Sequence, residues 1–220
     1  MRAITKGREP ESLTLHRKSP YSSYDNYGEK QDLREALVAE QRGLCCYCMG
    51  RIRPTRQSVK IEHWRCQSNY PDRQLDYRNL LAACQGRIGY LGGQPTHLQH
   101  CDTKKGDSDL QWNPADPAHR VETRIRYRVD GSICSDDVTF NDELNEVLNL
   151  NLPLLKNNRV GVLDGVLGWW KKTKAEIRGP VPRDRFIRER DRQVGGDGDL
   201  AEYCQVAVWW LEQRLARMEA

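Results

Sequence analysis

The chain has 220 residues, 38% of them hydrophobic and 30% charged, with a formal net charge of +4 at pH 7. A chain of this length and composition can bury a sizeable core, so wholesale disorder is excluded, and no apolar run approaches the ~18 residues that a membrane span requires. The polar stretch from Met1 to Pro10 lacks the apolar segment of a secretory signal, so a cytoplasmic location with no membrane partner is expected. The mild positive charge permits contact with nucleic acid without demanding it.

Residues 1–30 are polar and hold Pro, Ser and Tyr (Ser19-Pro20-Tyr21-Ser22-Ser23-Tyr24), which reads as an irregular arm. From residue 30 the pattern changes: Leu33, Ala36 and Leu37 lie on one side of a charged stretch, the spacing of an amphipathic helix that stops at Gly43. Residues 44–107 are rich in cysteine and poor in long periodic segments, so short strands and loops are expected, interrupted by a glycine-rich stretch over 86–93. Residues 121–134 alternate apolar and polar around Asp130-Gly131, the signal of a β-hairpin. Helical patterns then follow at Leu144, Val147 and Leu148, over 160–174 and over 200–218, with Gly195-Gly196-Asp197-Gly198 as a flexible linker. The chain thus divides near residue 115, into an arm (1–30), a cysteine-rich α+β module (31–115) and a hairpin with a mostly helical C-terminal portion (116–220). Trp169-Trp170 and Trp209-Trp210 fall on helical segments. Adjacent side chains point to different sides of a helix, so one of each pair faces the core, and the other is either covered as well or offered to a partner.

Eight cysteines in a chain read as cytoplasmic point to metal ligation more than to disulfides. Cys45 and Cys48 form a Cys-x-x-Cys turn whose two thiolates can reach one tetrahedral ion. Cys84 and Cys101 are the best candidates to complete the set, because a long loop between ligands costs little extra closure entropy. His97 or His100 replacing one cysteine stays open, and Cys46 and Cys66 are read as non-ligands. Four cysteines closed around Zn²⁺ would stabilise the fold and would not catalyse, because such a site has no open position.

Interleaved with these cysteines are Glu62-His63-Trp64, then Asn79 ahead of Cys84, then Cys101-Asp102-Thr103-Lys104-Lys105. The order Cys-x-x-Cys, Glu-His, Asn, Cys, Cys-Asp-x-x-Lys resembles the HNH endonuclease family, whose fold is the ββα-metal motif. It is most similar to the HNH subunit of Septu-type and retron-associated antiphage systems. Met1-Arg2-Ala3-Ile4-Thr5-Lys6, Glu40-Gln41, Leu148-Asn149-Leu150-Asn151 and Arg159 also look like that subfamily, so the resemblance spans most of the chain. It implies an α+β fold, a ββα-metal module with a structural four-cysteine zinc site, followed by a mostly helical portion. His63 would be the general base. Glu62 and Asp102 would hold a catalytic Mg²⁺ or Mn²⁺. Asn79 would orient the loop that bears the histidine, and Lys105, with Lys104 and Arg65, would contact phosphate. The implied partners are nucleic acid, DNA ahead of RNA, an ATPase subunit, and in a retron the reverse transcriptase with its non-coding RNA and DNA.

Two features depart from the family pattern: Asp102 stands where His or Asn is usual, and the second cysteine pair is split by residues 85–100. An aspartate is a good hard ligand for Mg²⁺ or Mn²⁺. Two other readings share these residues. One is a non-catalytic zinc-binding interaction module on a treble-clef-like scaffold. The other is an RNA-cleaving toxin using the same site, since HNH chemistry does not require a 2′-hydroxyl.

Overall fold

The computed structural model describes residues 1–87 and 95–219. Most of the glycine-rich stretch over 86–93 lies outside the described residues. Helix α1 (Glu11–Arg17) and helix α2 (Lys30–Glu40) precede strand β1 (Val59–His63), strand β2 (Leu80–Cys84) and the short helix α3 (Cys101–Lys105). Helix α4 (Val121–Arg124), the strands β3 (Ile125–Tyr127) and β4 (Ile133–Ser135), and helices α5 (Val138–Asp142), α6 (Pro153–Glu176), α7 (Arg183–Val194) and α8 (Cys204–Ala216) complete the order. The fold is therefore mixed, with helices and, among the described residues, two separate two-stranded antiparallel sheets. Among the described residues, no helix is long and apolar enough to cross a membrane.

Local chemistry accounts for most of these elements. Helix α2 buries Leu33, Leu37 and Val38 on one face, a spacing that packs one side of a helix against a core. It ends where Arg42 and Gly43 turn to positive φ. The positive φ of Gly43 favours glycine, and a side chain there would have to displace the ends of Arg51 and Asp199. The hairpin pairs Ile125 with Ser135 and Tyr127 with Ile133 around the Asp130-Gly131 turn. Helix α5 starts at Asp137, whose side chain accepts from the Phe140 N–H at 3.0 Å. Helix α6 has proline in its first turn and buries Leu155, Arg159, Leu163 and Val166, one stripe at spacings of four and three. Helix α7 was not expected: it is almost all charge and buries only Phe186 and Glu189, so its periodic apolar signal is too thin to read.

One core runs through the whole molecule. It holds Met1, Ile4, Leu13 and Tyr27 from the first thirty residues together with Leu37, Leu81, Ile125, Phe140, Leu163 and Leu211. The expected arm is thus packed into the body of the protein, and the division near residue 115 is not a break in the core. The tryptophans are covered as well: Trp210 is buried, and Trp169, Trp170 and Trp209 pack against the core. Trp169 meets Phe186 edge-on, and the Trp170 and Trp210 rings stand 6.0 Å apart with Arg214 against both.

The expected flexible linker is pinned. The Arg42 guanidinium donates to the carbonyls of Val194 (2.8 Å), Gly195 (3.0 Å), Gly196 (2.7 Å) and Gly198 (2.9 Å). Four glycine-rich carbonyls converge on one planar cation, which glycine permits because no side chain blocks the approach. Arg42→Ala is expected to lower stability by about 1–3 kcal/mol, since hydrogen bonds to a charged donor are lost. Thermal unfolding should show a fall of several degrees, and limited proteolysis should open a cut within 194–198. An unchanged midpoint with no new cut would mean that other contacts hold the segment.

Candidate functional site

Four cysteine thiols converge at one point. Cys45 and Cys48 lie in a tight turn that the Cys45 N–H closes onto the Gly50 carbonyl at 2.9 Å and the Met49 N–H onto the Cys45 carbonyl at 3.1 Å. Met49 sits at φ 66° to complete the turn. Cys84 ends β2 and Cys101 begins α3. The sulfurs of Cys45 and Cys101 are 3.9 Å apart, those of Cys48 and Cys84 are 3.8 Å apart, and all four lie within 4.8 Å of one another. A tetrahedral zinc with Zn–S bonds of about 2.3 Å needs sulfur separations of roughly 3.8 Å. A disulfide needs about 2.05 Å, and all eight cysteines are free. The set therefore fits a metal such as zinc.

Backbone N–H groups point at two of these sulfurs: Gly50 N–H to Cys48 at 3.4 Å and Cys84 N–H to Cys45 at 3.3 Å. Burial works against ionising Cys45, yet hydrogen bonds from Cys101, Cys46, Cys48 and Cys84 outweigh it and hold the thiol well below its usual range. His100 lies beside the cluster, its Nδ1 3.1 Å from the Cys101 sulfur and 3.9 Å from that of Cys84. His97 is exposed. Cys46 and Cys66 are outside the converging set, as are Cys134 and Cys204.

A second cluster, of carboxylates, lysines and histidine, adjoins the first. Strands β1 and β2 pair antiparallel with Glu62 opposite Leu81 and His63 opposite Leu80. Lys60 and Glu62 are two residues apart in β1 and so share a face, and both reach α3. Glu62 is 2% exposed. It accepts from the Tyr47 hydroxyl at 2.7 Å, and the Lys105 ammonium stands 3.0 Å from it. The carboxyl groups of Glu62 and Asp102 are close enough for each to shift the ionisation of the other. Lys60 donates to Asp102 at 2.9 Å and to the Thr103 hydroxyl at 2.8 Å. Burial, then the Asp102 carboxylate, push the Glu62 carboxyl well above its usual range, against the pull of Lys105 and Tyr47. Burial also opposes ionisation of Asp102, but its interaction with the Glu62 carboxyl and the charge of Lys60 outweigh it and lower its pKa. Two carboxyls at one place favour a state in which only one ionises, or a cation binds.

His63 ends β1 and is largely buried. Its Nε2 lies 3.0 Å from the Gln74 carbonyl. A carbonyl only accepts, so Nε2 carries the proton and Nδ1 keeps a lone pair. Burial lowers the His63 pKa below its ordinary value, partly offset by the Gln74 carbonyl. The Tyr24 ring packs edge-on against the imidazole with centroids 4.5 Å apart, and the Tyr24 N–H donates to the Gln74 side chain at 2.9 Å. Asn79 accepts from the Arg65 N–H at 2.8 Å and donates to the carbonyls of Arg65 (3.0 Å) and Arg73 (3.1 Å). It thus ties down both ends of the loop that follows His63.

The three cations expected at phosphate have different surroundings. Arg65 pairs with Asp109 at 3.1 Å and lies over the Trp64 ring. Lys104 is half-buried. Lys105 is turned inward, with its ammonium on Glu62 and 3.1 Å from the His63 carbonyl. Tyr47, Lys60, Tyr24 and Gln74 were missed in the sequence. Only Lys60 had a signal, its two-residue spacing from Glu62 in a strand.

No protein-family model matches this sequence, and no curated protein matches it. If the four thiols hold zinc, elemental analysis should find one zinc per chain. Cys48→Ala should abolish it and lower the unfolding temperature steeply, whereas Cys46→Ala should keep the metal. Equal zinc content in both variants would remove Cys48 from the ligand set.

Proposed function

We propose that this chain is a metal-dependent HNH-type endonuclease that hydrolyses phosphodiester bonds in nucleic acid. The observation that carries this reading is the cluster of Glu62 and Asp102 between β1 and the short helix α3, with His63 next to Glu62 at the end of β1 and the four-thiol cluster beside them. That order of β1, β2 and α3 supports a ββα-metal module, with Zn²⁺ on Cys45, Cys48, Cys84 and Cys101 as its staple.

In this reading Glu62 and Asp102 hold a Mg²⁺ or Mn²⁺, a pair of hard oxygen donors suited to such an ion. The ion supplies Lewis-acid stabilisation to the scissile phosphate and the leaving oxygen. His63 supplies the base. Its Nε2 proton is committed to the Gln74 carbonyl, so the Nδ1 lone pair takes a proton from the attacking water. Burial, which lowers its pKa, favours the neutral imidazole at pH 7, the form that a general base requires. Asn79 holds the loop that begins next to His63, through Arg65 and Arg73. Lys104 and Arg65 are nearer the surface and suit contacts to the phosphate backbone.

The resemblance to the HNH subunit of Septu-type and retron-associated systems supports a role as effector of an antiphage complex, with DNA as substrate and an ATPase subunit as partner. In a retron the reverse transcriptase and its RNA–DNA product would join. The test is cleavage of plasmid, single-stranded DNA and transfer RNA by wild type and His63→Ala. Each is assayed with the ATPase partner, in Mg²⁺ and in EDTA. Loss of the base is expected to slow cleavage by about 10²- to 10⁴-fold, with zinc content unchanged. Equal behaviour of wild type and variant on every substrate would overturn the reading and leave a zinc-stapled binding module. Cutting confined to transfer RNA would make the protein a ribonuclease.

A further inference from the structure

Lys105 is the last residue of α3, and its side chain is 1% exposed. Its ammonium reaches Glu62 at 3.0 Å and the His63 carbonyl at 3.1 Å. A buried ammonium is costly unless it is paired and hydrogen-bonded, so this placement is tied to the carboxylate it meets. Lys60, on the other side of the pair, is different: its side chain is 34% exposed and it holds Asp102 at 2.9 Å. Lys60 can swing into water, whereas Lys105 cannot leave without opening the contact between α3 and the strands.

With Lys105 and Lys60 both in place, the cluster carries no net negative charge, whether one or both carboxyls are ionised. A divalent ion seeking the oxygens of Glu62 and Asp102 meets oxygens already engaged by lysine. We propose that Lys105 is a built-in counter-ion of the Glu62–Asp102 pair. It stands in for a divalent cation when none is bound, competes with one that arrives, and so sets how tightly the site holds its metal. The inference rests on the reading that Glu62 and Asp102 are the ligands of that ion. It has two consequences. The site stays folded without the ion, because the acidic pair is never left uncompensated. With the ion bound and Lys105 still inside, the cluster becomes positive, a charge that an arriving phosphodiester offsets.

The test uses zinc-loaded full-length protein in buffer free of other divalent ions. Thermal unfolding and calorimetric titration with Mn²⁺ are read for wild type, Lys105→Met, and the double variant Glu62→Gln with Lys105→Met. Methionine keeps the length of the side chain and removes its charge. Lys105→Met is expected to unfold about 5 °C or more below wild type. Mn²⁺ should restore the loss and bind at least about tenfold tighter than to wild type, a lower bound for removing one like charge a few ångströms from the ion. The added Glu62→Gln should recover part of the stability without Mn²⁺, which a purely packing role for Lys105 would not produce. If Mn²⁺ binds wild type and Lys105→Met equally, the counter-ion role is overturned while the ligand assignment stands. If Mn²⁺ binds neither, the ligand assignment itself falls. If Lys105→Met does not fold and the double variant folds no better, Lys105 serves packing and the inference also fails.

Discussion

Everything else in this structure depends on the convergence of four thiols from three separate places in the chain. The Cys45–Cys48 turn, the end of β2 and the start of α3 are each too small to be stable alone. A two-stranded sheet is marginal in water, and a helix of five residues costs more to nucleate than its few hydrogen bonds return. Brought within 4.8 Å of one another, the sulfurs give these pieces a common anchor. The anchor also sets the positions of the groups beside it. Asp102 directly follows Cys101, and β2, which Cys84 ends, is the partner of the strand that carries Glu62 and His63. Tyr47, inside the Cys-x-x-Cys turn, reaches the Glu62 carboxyl. One set of constraints therefore fixes the four-thiol cluster and the acidic cluster together.

The helical portion supports that anchor and is not a separate body. The Tyr203 N–H donates to the Met49 carbonyl at 3.1 Å, and the Glu202 carboxylate accepts from the Arg51 N–H at 2.7 Å. Arg53 pairs with Asp199 at 2.5 Å. These contacts hold the cysteine turn from the outside, at the entry to α8. Arg159, fully buried in α6, spends its donors on the carbonyls of Gly131 (2.6 Å) and Leu150 (2.7 Å) and on the Asn151 side chain (3.2 Å). It binds α6 to the β3–β4 turn and to the segment ahead of the helix. Arginine suits this task because its planar fork satisfies several carbonyls at once.

Charge at the acidic cluster is handled by the same logic, and Glu143 follows it at one oxygen only, since its Oε2 is buried with no hydrogen-bond partner. Glu62 has Tyr47 and Lys105, Asp102 has Lys60, and Glu143 accepts from the Gln111 N–H at 2.6 Å. Polar groups this deep are retained where partners are in place. The region around Glu62 gathers two carboxyls and two lysines between β1 and α3.

The amino-acid sequence by itself determined the local elements whose signals are short-range. Leu33 and Leu37 mark α2, Asp130-Gly131 marks the hairpin, and the Cys-x-x-Cys turn marks half of the four-thiol cluster. The apolar stripe of α6 was legible in the same way. The candidate site was legible as a set of residue types in order, Glu62-His63, Asn79, Cys101-Asp102, because the set is interleaved with the cysteines along the chain. Their mutual contacts were not, because spacing along a chain carries no distance between segments. Only the tertiary structure decided that Lys105 turns inward to Glu62, that Tyr24 crosses from the first thirty residues to cover His63, and that Arg42 closes on the glycine-rich segment before α8. Each of these is a long-range contact of a polar side chain, and a polar residue looks the same in sequence whether it meets water or a buried partner. Packing makes that choice, by setting which groups are left without water and must find one another.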